Sequence, residues 1–184
     1  MTRSTQTTPA ARSGLGQAPG TPTAARFGEV IWAVTRVALG FVFLWAFLDK
    51  LFGLGKATPT ERAWLNGGSP TTGFLSNVEG PFGGFFSSMA GQAWADWLFM
   101  IGLLGIGVAL LLGIGMWVAA VSGSLLLGLM WLASLPIATN PFLDDHLVYA
   151  LVLLGLAATG AGLRYSLAGW WQSLAVVRQN NWLR

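Results

Sequence analysis

The hydrophobic and polar positions of this chain form long apolar stretches separated by shorter polar ones. Between Asp96 and Asp144, 47 consecutive residues carry no charge, and most of them are apolar. An apolar run of about 18 residues or more is typical of a transmembrane helix, because about 20 residues cross the ~30 Å hydrocarbon core. This stretch is too long for one crossing. It fits two crossings joined by a turn at Gly113-Ile114-Gly115.

The same pattern predicts an all-α integral membrane protein built as a bundle of four transmembrane helices. The predicted spans cover residues 28–52, 95–112, 116–136 and 145–162, within a membrane domain over residues 28–163. A long outer loop, residues 55–95, joins the first two spans, and a loop of this length favours a functional role. Small residues of the second span, Gly102, Gly105 and Ala109, would let neighbouring helices approach closely.

The two ends of the chain lie outside this domain. Residues 1–27 are rich in Thr, Ala, Pro, Gly and Ser, which predicts a disordered tail. In residues 164–184, apolar side chains recur at helical spacing, which predicts an amphipathic helix on the membrane surface.

The distribution of basic residues predicts which side of the membrane each segment faces. Six of them lie towards the termini and three lie on the opposite side. By the positive-inside rule, both termini are therefore expected on the cytoplasmic side of the plasma membrane. The six are Arg3, Arg12, Arg26, Arg164, Arg178 and Arg184, and the three are Lys50, Lys56 and Arg62.

Composition narrows the chemistry further. Hydrophobic residues make up 54% and charged residues 9% of the chain, against about 25% charged in soluble domains. The net charge is +3, but the basic residues are scattered, so nucleic acid is not an expected partner. There is no cysteine and one histidine, His146, so no haem, iron–sulfur cluster or metal is expected within this chain.

Ionisable residues near membrane spans are candidates for function. Arg36 lies well inside the first span, and helical geometry places Arg36, Phe43 and Lys50 on one face, where the two cations could line an internal site. The alternative for Arg36 is a side chain that snorkels to the inner interface, towards Glu29 or a lipid phosphate. The alternative for Asp49 and Lys50 is an ordinary helix end at the headgroups.

Asp144, Asp145 and His146 open the fourth span at the predicted outer face. A histidine beside carboxylates can relay protons near neutral pH, as quinone chemistry requires. The alternative is an acidic N-cap, for which Asp144 is well suited.

The segments Arg36-Val37-Ala38-Leu39-Gly40-Phe41-Val42-Phe43 and Leu48-Asp49-Lys50-Leu51-Phe52 resemble the opening helix of the DoxX/DoxD family of membrane proteins. The closing segment, residues 157–163, is similar as well. The resemblance covers about residues 30–165, and its long first loop is closer to DoxD.

This resemblance implies the large subunit of a bacterial thiosulfate:quinone oxidoreductase, which oxidises thiosulfate to tetrathionate and reduces a quinone. The family enzyme has a small partner subunit, DoxA, which this chain does not contain. On this hypothesis Arg36 and Lys50 bind the quinone cofactor, and His146, Asp145 and Asp49 are catalytic residues that handle protons.

The second hypothesis is a non-catalytic membrane scaffold or accessory subunit. It would anchor a soluble redox protein or a respiratory complex, or form a homo-oligomer, through its helix faces and outer loop. A common cavity that contains the five candidate side chains would favour the oxidoreductase, and separate positions would favour the scaffold.

Overall fold

The computed structural model describes residues 22–138, 140–160 and 162–183, and within these ranges the chain is helical and has no strand. We call the end of the bundle that carries residues 53–92 the outer end and the opposite end the inner end. In chain order the helices are α1 (Pro22–Phe52), α2 (Thr72–Leu75), α3 (Gly83–Ser87), α4 (Ala93–Leu112), α5 (Met116–Ala133), α6 (Asp145–Thr159), α7 (Ala168–Ser173) and α8 (Ala175–Gln179).

Three of these helices, α1, α4 and α5, are long and apolar enough to cross a membrane. Helix α6 is apolar but has 15 residues, or about 22 Å at 1.5 Å per residue. The all-α class is confirmed for the described residues, and a membrane protein with three candidate spans is supported. The fourth span stays a prediction.

Helix α1 begins earlier than predicted. It starts at Pro22, inside the segment expected to be a disordered tail, while residues 1–21 of that tail lie outside the described residues. Proline suits the first turn of a helix because its fixed φ is already helical and its missing N–H would have no helical acceptor there.

The long helices expose large apolar side chains, and only a few polar side chains of the described residues are buried. Among the exposed side chains are Phe41, Leu98, Ile101, Val121, Leu125 and Leu151. Among the described residues, the buried polar or charged side chains are those of Arg36, Asp49, Thr71 and Asp96. An apolar outer surface of this extent is unusual for a soluble monomer and fits contact with hydrocarbon.

Helix α1 packs along α4 and α5 packs along α6, with a smaller contact between α4 and α5. Glycines permit the closest approach: a Cβ on Gly107 would lie 2.8 Å from the Leu44 nitrogen, and one on Gly40 would lie 2.9 Å from the Leu111 nitrogen. The prediction that Gly105 is a packing residue is wrong, because a Cβ there would meet nothing within 4 Å.

The predicted turn between the second and third long helices is confirmed. Gly113 and Gly115 both adopt left-handed backbone conformations, with φ of +69° and +56°. Glycine adopts positive φ without steric cost, so it is favoured where a helix must end abruptly.

Residues 53–92, which we call the outer cap, fold over the outer end. They contain α2, α3 and two 3₁₀ turns, Thr60–Arg62 and Trp64–Asn66. Ala63 and Phe86 are buried. The segment predicted as a long loop therefore has its own short helices and a small core.

The C-terminal segment differs from the single amphipathic helix predicted over residues 164–184. It consists of a 3₁₀ turn (Leu163–Tyr165), α7, α8 and a final 3₁₀ turn (Asn181–Leu183), and it breaks at Leu174, which is extended. The Trp171 indole Nε1 donates to the Leu183 carbonyl at 2.6 Å, and Val177 is buried. The helix breaks because the segment folds back beneath the bundle, where its last turn contacts α5.

Candidate functional site

Arg36 lies at the inner end of the bundle and is completely buried. Its Nη1 donates to the carbonyl oxygens of Leu110 and Leu111, the latter at 3.0 Å, and its Nη2 donates to the carbonyl of Tyr165 at 2.9 Å. The last carbonyls of a helix have no partner within the helix and carry its negative dipole end. Arg36 therefore joins α1, the end of α4 and the C-terminal segment, and it does not snorkel towards Glu29.

The Nε atom of the Arg36 guanidinium differs from the two Nη atoms. It is buried and has no hydrogen-bond partner among the described residues. Three of the five N–H donors of Arg36 are bound to backbone carbonyls, and the donors that remain are Nε and the second N–H of Nη2.

Glu29 instead pairs with Arg164, whose Nη1 lies 2.8 Å from the Glu29 carboxylate. The hydrogen bond and charge of Glu29 raise the pKa of Arg164 above its usual value. The pair is exposed, so solvent screens it and it adds little stability. The Glu29–Arg164 pair lies where the segment after α6 contacts α1.

Asp49 is 1% exposed at the outer end of α1. Its carboxylate accepts hydrogen bonds from the backbone N–H groups of Lys56 and Ala57 at 3.2 and 3.1 Å. Asp49 thus fixes the first turn of the outer cap.

Lys50 follows Asp49 and is half-buried. Its Nζ lies 5.9 Å from the centroid of the Phe99 ring, within the range of a cation–π contact. Phe43 on the same face is buried, so the predicted face of α1 does turn inward. Arg36 and Lys50 are nevertheless about 21 Å apart along the helix axis.

Asp144 and His146 form a close pair at the start of α6, with His146 Nδ1 2.7 Å from Asp144 Oδ2. Asp144 also caps the helix, because its other carboxylate oxygen accepts the Leu147 N–H at 3.3 Å. Asp145 Oδ1 lies 3.6 Å from His146 Nδ1. The proton-relay and N-cap interpretations are thus both compatible with this geometry.

Donor atoms of Asp144, Asp145 and His146 lie within 4.8 Å of one another, which makes this the group of described side chains that could hold a metal ion. The three residues are consecutive at the start of one helix, and the side chains of Asp144 and His146 already contact each other. Within the described part of the chain, no other element contributes a ligand to this group. The geometry is that of a capped helix start.

The five predicted site residues do not form one constellation. Arg36 lies at the inner end, and the other four lie at the outer end in two groups, on α1 and on α6. Among the described residues, no hydrogen bond or ion pair links Asp49 or Lys50 with Asp145 or His146.

Asp96 is a polar site that sequence reasoning missed. It lies in the first turn of α4, is 6% exposed, and accepts from Ser69 Oγ at 2.9 Å, Thr71 N at 3.1 Å and Thr71 Oγ1 at 2.6 Å. A carboxylate at the edge of an uncharged span, with a Ser-Pro-Thr-Thr segment in the preceding loop, is the signal that could have found it.

Two clefts open on the outer cap. The larger, about 460 Å³, is lined by Glu61, Arg62, Asn66, Ser69, Thr72, Ser76, Asn77 and three glycines. The second, about 350 Å³, lies beside it between residues 73–79 and the end of α5 at residues 133–136. None of the five predicted site residues lines either cleft.

Comparison with family models, with curated proteins and with solved structures finds no match to this chain. The resemblance to the DoxX/DoxD family therefore stays a prediction from the quoted motifs.

Proposed function

We propose that the chain is a four-span protein of the plasma membrane with both termini in the cytoplasm. Support for the fourth crossing comes from both ends of α6. Before it, the Phe142 carbonyl accepts the Trp131 indole N–H from the outer end of α5 at 3.0 Å. After it, the Leu167 N–H donates to the Leu112 carbonyl at the inner end of α4 at 2.9 Å. The chain between these two contacts thus runs the length of α4 and α5.

Within that membrane we propose a non-catalytic accessory subunit, whose four helices anchor an ordered outer cap that recruits a partner. One observation carries this proposal: the most deeply buried predicted site residues, Arg36 and Asp49, are bound to backbone groups of their own chain. Both side chains thereby hold separate segments of the fold together, which favours a structural role for them over a role in quinone binding. The outer cap, by contrast, is folded and carries an open cleft lined by polar side chains.

A quinone-linked oxidoreductase subunit of the DoxD type is the second candidate. The observation that favours it is the His146–Asp144 pair, in which a carboxylate orients an imidazole at a distance of 2.7 Å. Such a pair at the membrane surface could deliver a proton to the quinone as electrons from thiosulfate reduce it to the quinol. On this proposal, thiosulfate is the electron donor and a small partner subunit completes the enzyme.

Turnover measurements separate the two candidates. The purified chain in lipid nanodiscs would be mixed with thiosulfate and a short-chain quinone, and quinone reduction followed by absorbance. The accessory-subunit proposal predicts no rate above empty nanodiscs, with or without an added small partner subunit. Thiosulfate-dependent turnover that requires the chain in either sample would overturn it.

The oxidoreductase proposal predicts turnover when a small partner subunit is added. It further predicts that the His146→Ala variant assembles normally but loses this turnover. The control variant, Glu79→Gln at an exposed position, should keep it. No turnover with any partner subunit would reject this second candidate.

A further inference from the structure

The charges of this chain are separated between the two ends of the bundle. Residues 49–145 carry six carboxylates and three basic side chains, and these lie at the outer end or on the outer cap. The rest of the chain carries seven arginines and one carboxylate, Glu29. A molecule that approaches the inner end therefore meets an excess of positive charge.

Two exposed arginines lie beside the single carboxylate of the inner end. Arg164 Nη1 lies 2.8 Å from the Glu29 carboxylate. Arg26 precedes Glu29 by three residues in α1, a spacing that places the two Cβ atoms about 5–6 Å apart. Arg26 has no ion pair or hydrogen bond within the described part of the chain. Two guanidiniums thus surround one carboxylate, and the cluster keeps a net positive charge.

The backbone around Arg164 is fixed against α1. Gly162 lies so close to that helix that a Cβ on it would be 2.6 Å from the Ala33 nitrogen. The Tyr165 carbonyl accepts a hydrogen bond from Arg36 Nη2 at 2.9 Å. The Arg164 side chain is 59% exposed, and its ion pair uses one of five N–H donors. The remaining donors are held beside α1 before any ligand arrives, which lowers the entropic cost of binding.

An exposed apolar stripe begins at Arg26 and follows α1 towards the outer end. At 100° per residue, Arg26 and four exposed apolar side chains fall within a sector of about 80°. The four are Val30, Val34, Val37 and Phe41. The stripe is about 22 Å long at 1.5 Å per residue, which exceeds the ~15 Å of hydrocarbon in one leaflet. A phospholipid has the same order of groups, with a charged head followed by acyl chains.

We propose that this surface binds an anionic phospholipid in the leaflet at the inner end, with the lipid phosphate between Arg26 and Arg164 and an acyl chain along the stripe. Guanidinium binds phosphate through paired, charge-assisted hydrogen bonds. A zwitterionic lipid would bring its own cation to a cluster that is already positive, so the anionic lipid is favoured. The inference rests on the proposed membrane location of α1 but not on the accessory role, so its failure would leave the turnover and orientation tests unaffected.

Native mass spectrometry of the full chain in a nonionic detergent tests the proposal, because it counts the lipids that stay bound to each protein. The probes are phosphatidylglycerol and phosphatidylcholine with identical acyl chains, and glycerol 3-phosphate as a headgroup without chains. We expect one phosphatidylglycerol to be retained at concentrations where phosphatidylcholine is lost, with no competition from glycerol 3-phosphate. Equal retention of the two lipids, or displacement by an equal concentration of glycerol 3-phosphate, would overturn the proposal.

Substitutions at the cluster should change the lipid affinity in opposite directions. Arg26→Gln and Arg164→Gln should each weaken phosphatidylglycerol binding about fivefold, as expected for one basic residue at an anionic surface. Glu29→Gln should strengthen binding, because it removes a negative charge beside the phosphate. The matched control is Arg62→Gln, which removes an exposed arginine from the outer cap and should change nothing. An unchanged affinity in Arg26→Gln, or an equal loss in Arg62→Gln, would contradict the proposed site.

Discussion

At the residue scale, Arg36 is a buried cation held by backbone carbonyls and not by a carboxylate. Its guanidinium reaches two turns of chain that are far apart in sequence, at residues 110–111 and 165. Arginine suits this position because its planar fork presents several donors in fixed directions. At the outer end the charged groups are acceptors. The carboxylates of Asp49 and Asp96 each accept hydrogen bonds from groups of the outer cap.

Replacing Arg36 by lysine should destabilise the protein. Lysine keeps the charge but lacks the fork, so carbonyls of α4 and of residue 165 lose their donor. We expect the free energy of unfolding to fall by about 1.5–3 kcal/mol, the range for hydrogen bonds to charged groups. Tryptophan fluorescence during thermal unfolding in detergent measures the change. The control is Arg62→Lys, on the exposed rim of the outer cleft. Equal stability of the two variants would contradict the structural role of Arg36.

Replacing Asp96 by alanine should loosen the outer cap without unfolding the bundle. The Thr71 N–H and the Ser69 and Thr71 hydroxyls would lose their shared acceptor, at a local cost of about 1–3 kcal/mol. Hydrogen exchange should quicken at residues 69–72 and stay unchanged in α5. Asp96→Asn, which still offers one acceptor oxygen, should give a smaller effect. Exchange that is unaltered in the cap would show that Asp96 does not hold it.

At the element scale, the bundle consists of two helix pairs, α1 with α4 and α5 with α6. The α1–α4 contact depends on Gly40 and Gly107, where the backbones come too close for a side chain. Close backbone approach at glycine is how membrane helices associate when lipid offers no hydrophobic driving force between them.

The glycines of α4 allow a matched test of this contact. Gly107→Ala should destabilise the protein by about 1–3 kcal/mol, as overpacking does, because its Cβ would meet the backbone of Leu44. Gly105→Ala, two residues away and facing open space, should be neutral or raise stability by up to about 1 kcal/mol through helix propensity. Both are compared by thermal unfolding in the same detergent. Equal losses would argue against the α1–α4 contact.

At the scale of the whole molecule, most tryptophans lie towards the two ends, while Trp45 lies between these levels in α1. Trp64, Trp94, Trp97 and Trp131 lie towards the outer end, and Trp117, Trp170 and Trp182 lie towards the inner end. Indole rings prefer the membrane–water interfaces. We therefore expect the part of the molecule between these two levels to lie in hydrocarbon.

The absence of cysteine from the chain makes its orientation directly testable. We expect Ser76→Cys in the outer cap to react with a membrane-impermeant maleimide in intact cells. Gln179→Cys at the end of α8 should react only after the membrane is permeabilised. The unsubstituted chain, which has no thiol, is the blank. Labelling of Gln179→Cys in intact cells would contradict cytoplasmic termini.

The sequence predicted the long helices well, but it did not indicate which side chains the fold brings together. The uncharged stretch after Asp96 and the glycines at 113 and 115 predicted α4, the turn and α5 to within a few residues. The start of α1 at Pro22 was missed because residues 22–27 carry no apolar periodicity. The break at Leu174 was missed because it depends on contacts with α5 that are distant in sequence.

What the sequence determined by itself is the helix content and the presence of helices long and apolar enough to cross a membrane, because both properties depend on the residues of one segment and not on its neighbours. Only the tertiary structure decided that Arg36 and Asp49 bind their own backbone, that Gly107 and not Gly105 faces α1, and that Asp96 holds the outer cap. These are relations between elements. A side chain has a partner only where two segments meet, and the hydrophobic pattern of each segment does not contain that information.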